Sequence, residues 1–223
     1  MAFDQLDEHE QGEIVRKWMR ENYASIAVGI VLGLLLVFGL HQYWGHQALS
    51  KARAAEEFRL FTTALEAKND EMAKAAAGRI ERDFGKSAYA VLTLLREANN
   101  AVTKKDLATA ETQLQSALDK ASSDAMKTLV GQRLARVKVA MDKGQDALAL
   151  LDKLPAGAYA AAIAELRGDI LVALGKRDEA RTAYQASIDA LDATAPNRAT
   201  LEMKRDDLLQ PGASASATET KSS

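Results

Sequence analysis

The chain has 223 residues and a formal net charge of -2, spread over 27% charged residues of both signs. That length holds one ordinary domain plus an appendage, and so balanced a charge supplies no field to draw in nucleic acid. With no cysteine, disulfides, cysteine-based zinc sites and thiol nucleophiles are excluded.

Three prolines, few aromatic residues and much alanine favour helices over strands, because alanine has the best helix propensity and strands favour β-branched and aromatic residues. An all-α fold is expected. In chain order, residues 1–22 form an acidic leading segment (Asp4, Asp7, Glu8, Glu10, Glu13). A short amphipathic helix follows within it, with Ile14, Val15, Trp18 and Met19 on one side and Arg16, Lys17 and Arg20 on the other.

Residues 23–44 read as a single transmembrane helix. No charged residue occurs from Asn22 to Ser50, and Ile26 to Leu40 is apolar apart from its glycines. Tyr23 to Tyr43 meets the roughly 20 helical residues that a hydrocarbon layer of about 30 Å requires. Trp18, Tyr23, Tyr43 and Trp44 flank the run as an interfacial belt. A cleaved signal peptide is the alternative, although the leader is long and acidic and Ala52-Arg53-Ala54 lies far past the apolar run. Arg16, Lys17 and Arg20 stand close before the span, and Lys51 and Arg53 only farther beyond it, which predicts a cytoplasmic amino terminus and a periplasmic domain. Gly29 and Gly33 have the small-xxx-small spacing that lets membrane helices approach closely.

Residues 45–209 keep the helical period. Phe58, Phe61 and Leu65, then Val130, Leu134, Val137 and Met141, then Ile163, Leu166, Ile170 and Leu174 each mark one buried stripe. Breakers at Asn69-Asp70, Gly85, Lys104-Lys105-Asp106, Ser122-Ser123-Asp124, Lys143-Gly144, Pro155-Ala156-Gly157, Gly175-Lys176 and Pro196 predict about nine helices joined as hairpins. A tetratricopeptide-like repeat is visible in them. Gly168, Gly175, Ala180 and Tyr184 fill its small, turn, small and aromatic slots. Gly168 is expected where paired helices touch backbone to backbone. Ala147, Leu151 and Leu154 match 33 residues earlier, and Ala110, Leu114 and Ala117 a further 37 earlier. The first helix offers only Ala164 at the bulky slot and the proline comes late, at Pro196, so a plain helical bundle remains the alternative. Residues 210–223 are small and polar, too poor in apolar groups to offset their ordering entropy.

Chemistry is scarce. His9, His41 and His46 all lie in or beside the span, leaving the soluble region without His or Cys. Serine triads, thiol reactions and histidine-assisted metal sites are therefore out of reach, and no glycine loop cradles a phosphate. No catalytic residue, cofactor or metal is expected. A partner groove is expected along the first helices of neighbouring hairpins at Gln132, Arg133, Arg136, Glu165, Arg167 and Asp169. The alternative for each arginine is pairing with a nearby carboxylate.

The ordered set of Glu13-Ile14-Val15-Arg16-Lys17, Glu21-Asn22, Ala27 to Gly33, Tyr43-Trp44, Arg133 to Val137, Ala147-Leu148, Leu151-Asp152, Ala161 to Asp169 and Gly175 to Ala183 resembles the YfgM family. That family is the ancillary subunit of the SecYEG protein translocon. The resemblance covers residues 13 to 209 and implies a single-pass inner-membrane protein with a periplasmic tetratricopeptide-like α-solenoid. It also implies association with a SecYEG-like translocon and a membrane-anchored chaperone similar to PpiD, assisting exported polypeptides. The polar tail departs from the family. A cell-envelope assembly scaffold with the same fold but other partners is the competing expectation.

Overall fold

The computed structural model describes residues 8–209. The acidic residues Asp4 and Asp7, the side chain of Ile14 and the polar tail lie outside the described residues. Among those described there is no strand. The helices are α1 (Glu8–Glu66), α2 (Asp70–Phe84), α3 (Ala88–Thr103), α4 (Leu107–Lys120), α5 (Asp124–Ala140), α6 (Gly144–Leu151), α7 (Ala160–Ala173), α8 (Arg177–Asp189) and α9 (Arg198–Asp207), with a 3-10 turn at Gly157–Tyr159. The chain divides into two compact units, Met1–Arg53 and Ala54–Ser223.

In the first unit, the stretch of α1 over residues 27–40 is apolar on every side, with Val28, Leu32 and Phe38 58%, 61% and 69% exposed. A helix apolar all round is at rest only in apolar surroundings, and this is the one helix among the described residues long and apolar enough to cross a membrane. Tyr23 and Tyr43 stand about 30 Å apart along it at 1.5 Å per residue.

In the second unit, every predicted breaker falls at a helix junction. Four hairpins result: the end of α1 with α2, α3 with α4, α5 with α6, and α7 with α8, with α9 closing the row. Each first helix ends the same way. Lys68, Lys105, Asp142 and Gly175 take positive φ of 54°, 62°, 60° and 74°. The next N–H reaches back to the carbonyls of Ala64, Ala101, Lys138 and Leu171 at 2.9 Å. This is the Schellman cap, which satisfies carbonyls that the helix end would leave bare. Asn69 and Asp106 then cap the second helices by accepting from the Met72 and Thr109 amides at 3.1 Å.

Three of these left-handed positions carry a side chain, which costs roughly 1–2 kcal/mol that glycine avoids, less the entropy glycine loses on folding. Gly175→Ala is therefore expected to lower stability by about 1 kcal/mol, and Lys105→Gly to raise it by up to about 1 kcal/mol. Thermal unfolding of the two variants checks this, and a Lys105→Gly protein less stable than the parent contradicts it.

The turns recur at intervals of 37, 37 and 33 residues, and so do the core pairs. Phe61 packs in one cluster with Ala77, Ala98 with Leu114, and Ala135 with Leu151. In the fourth hairpin Gly168 lies against Tyr184, where an added Cβ would come 2.5–2.9 Å from ring atoms. Partners are always 16 residues apart, and as the first-helix residue shrinks from Phe to Gly the second-helix residue grows from Ala to Tyr. The pair thus keeps a near-constant volume, as close packing demands. Gly168 makes room for a ring rather than for a neighbouring backbone, which differs from the sequence expectation. The small slot of the second helix is constant: Ala73, Ala110, Ala147 and Ala180 are all buried.

Candidate functional site

Two surfaces carry the residues singled out in the sequence. On the membrane helix, a Cβ added at Gly29 or Gly33 would meet nothing within 4 Å, so the glycines leave an open shallow strip. Trp18, Tyr23, Tyr43 and Trp44 are 57–69% exposed. The Tyr43 hydroxyl accepts from Gln47 Nε2 at 2.8 Å, a polar tie suited to the headgroup level.

On the first helices of the domain, α5 presents the exposed Arg133 and Arg136 beside the half-buried Gln132. Neither guanidinium has an ion pair or hydrogen bond among the described residues. Arg96 of α3, one repeat before Arg133, is exposed and unpaired as well, and Arg59 holds the same slot in α1, bound to Glu56 at 2.6 Å. Leu129 and Val102, 42% and 41% exposed, lie on these same helices. Arg96 was missed in the sequence, yet stepping back 37 residues from Arg133 finds it.

The other three expected groove residues are held in ties within the domain. Arg167 donates to Asp152, the residue that ends α6. Lys204 of α9 donates to both Glu165 and Asp169 at 2.9 Å, and the Tyr184 hydroxyl donates to Asp169 at 2.8 Å. The ammonium also lies 5.6 Å from the centre of the Tyr184 ring, within cation–π reach. Burial pulls the Lys204 pKa down, but the hydrogen bonds to Asp169 and Glu165 outweigh it and leave the pKa raised. Burial and then the bond to Asp169 push the Tyr184 hydroxyl well above its ordinary value. Glu165 and Asp169 therefore fasten α9 over the last hairpin, and the structure brings only Gln132, Arg133 and Arg136 together on an accessible surface.

The chain matches the model of a tetratricopeptide repeat-like domain family over residues 16–210. It is 32% identical to the ancillary SecYEG translocon subunit of Escherichia coli strain K12 over 203 residues, which is 91% of this chain and 97% of that one. It is 30% identical to the protein of that name from Haemophilus influenzae over 83% of this chain and 90% of the relative. With the one from Aggregatibacter actinomycetemcomitans the identity is 31%, over 81% and 88%. Both the membrane helix and the four hairpins fall within residues 16–210 of the family-model match. By its repeat architecture and its similarity over nearly its whole length, the chain belongs to the family of ancillary SecYEG translocon subunits with a tetratricopeptide repeat-like domain.

Proposed function

We propose that the chain is a non-enzymatic, single-pass inner-membrane protein that joins a SecYEG-like translocon through its membrane helix. The hairpin domain stands in the periplasm, where it meets a chaperone similar to PpiD and assists polypeptides leaving the translocon. The observation that carries this reading is similarity extending over 97% of a relative named as a translocon subunit, with the anchor included in the match. The open Gly29–Gly33 strip supports lateral packing on other membrane helices, since close approach is what drives association where no hydrophobic effect operates. The exposed first-helix face with Gln132, Arg133 and Arg136 is the surface for a partner domain or an emerging chain.

Photo-crosslinkers placed at Gly29 and Gly33 in intact membranes are expected to capture translocon helices. Capture of wall or outer-membrane assembly proteins in their place would establish the scaffold reading. Added protease is expected to digest the domain in intact spheroplasts, and digestion only after the inner membrane is ruptured would reverse the topology.

A further inference from the structure

Two cavities of about 430 and 390 Å³ lie in line between α2 and α4 with α3 as their floor, and both are lined by Lys74, Glu97 and Gln113. One repeat later this space is closed. There Glu111, at the slot of Lys74, accepts from Lys138 and Lys143, each at 2.7 Å, and these hydrogen bonds hold its carboxyl below the usual range. The slots of Lys138 and Lys143 correspond in the open groove to Ala101 and Asp106, so no ion pair crosses its middle; Lys120 of α4 reaches Glu81 of α2 at 2.9 Å at one end, and Lys104 lies 3.9 Å from Asp70 at the other.

Glu97 on the floor is the odd carboxylate of the domain. Its slot holds the fully buried Leu134 in the next repeat. The other half-buried carboxylates, Glu57, Glu111, Glu165, Asp169 and Glu202, each have a lysine or arginine within 3.2 Å. Glu97 has no ion pair or hydrogen bond among the described residues. Lys74 is exposed and does not reach it, and Glu81 on the wall is bound to Lys120 at 2.9 Å. Burial, with Glu81 nearby, raises the Glu97 pKa. A half-buried carboxylate lacking a cation is a costly arrangement that a supplied positive charge relieves. Asn100, Gln113 and Ser116 also line the groove without hydrogen-bond partners, and such side chains suit the N–H and C=O groups of a peptide backbone.

We infer that the α2–α4 groove binds an extended segment of a partner polypeptide carrying a central lysine or arginine that pairs with Glu97. From Asp70 to Glu81 the groove wall runs about 17 Å, room for about five extended residues. The inference does not depend on association with the translocon.

The test uses the full chain in phospholipid nanodiscs with a photo-crosslinker at Gln113, or as a control at the exposed Gln115. Randomised pentapeptide pools carry a fixed arginine, its neutral isostere citrulline, or glutamate at the centre. The arginine pool should be captured at Gln113 at least about tenfold better than the citrulline pool, as expected for loss of a charge-assisted contact. Glu97→Gln should abolish the difference, and Glu97→Arg should turn the preference to the glutamate pool. No enrichment of the arginine pool, equal capture by Glu97→Gln, equal capture at Gln115, or Glu97-dependent capture of a second copy of the chain would each overturn the inference.

Discussion

Gly168→Ala is expected to lower the stability of the domain by about 1–3 kcal/mol, the usual cost of forcing extra volume into a packed core. The added Cβ would meet the Tyr184 ring at 2.5–2.9 Å. That ring is fixed from two sides, by its hydroxyl bond to Asp169 and by Lys204 above its face. Tyr184→Leu alone should cost a further 2–3 kcal/mol or so, since it removes buried aromatic area and leaves Asp169 short of a donor. The double variant recreates the Ala135–Leu151 pair of the third hairpin. It should therefore be more stable than the sum of the two losses predicts, with a coupling of about 1–2 kcal/mol. Denaturant unfolding of the four proteins measures the cycle. Strict additivity would show that the two residues do not share one packing volume.

The largest effect is expected in the membrane helix. Arginine in place of Leu32 and Leu36, one turn apart, changes the insertion free energy by about 3–4 kcal/mol at each position. A shift of about 6–8 kcal/mol removes most of the advantage of a span this short, so the double variant should leave the membrane fraction on washing with alkaline carbonate. Leu129→Arg, on the exposed face of α5, is the control and should change nothing in that assay. Retention of Leu32→Arg/Leu36→Arg in washed membranes would mean that another part of the chain anchors it.

Much of the fold was legible because its signals are local. The uncharged apolar run and the breakers at helix ends depend on neighbours along the chain; every breaker lies at a helix junction, whereas the apolar run is one stretch of α1, which continues unbroken from Glu8 to Glu66. The repeat was harder to see, since each slot varies. The first hairpin escaped notice because Phe61 holds the slot where the fourth has Gly168, and the compensation appears only when Ala77 is seen beside it. The candidate site was half legible for the same reason. Arg133 and Arg136 were placed by helical period alone. The fate of Glu165, Arg167 and Asp169 depended on Lys204 and Asp152, 39, 15 and 35 residues away, respectively for the pairs Glu165–Lys204, Arg167–Asp152 and Asp169–Lys204. Glu97 carries no signal of its own. Its oddity shows only against Leu134 one repeat on.

The constant 16-residue interval inside each hairpin has a consequence for which changes of length the domain can absorb. A helix turns about 100° per residue, so one residue gained or lost between Ala135 and Leu151 would swing one partner of the pair away from the other. Between hairpins the requirement is looser. The last interval is four residues shorter than the others, and four residues are close to one full turn, so both helices keep their faces. Tags, reporter loops or grafted binding segments should accordingly be accepted between α6 and α7, around Ala156, and rejected at the Asp142-Lys143 turn.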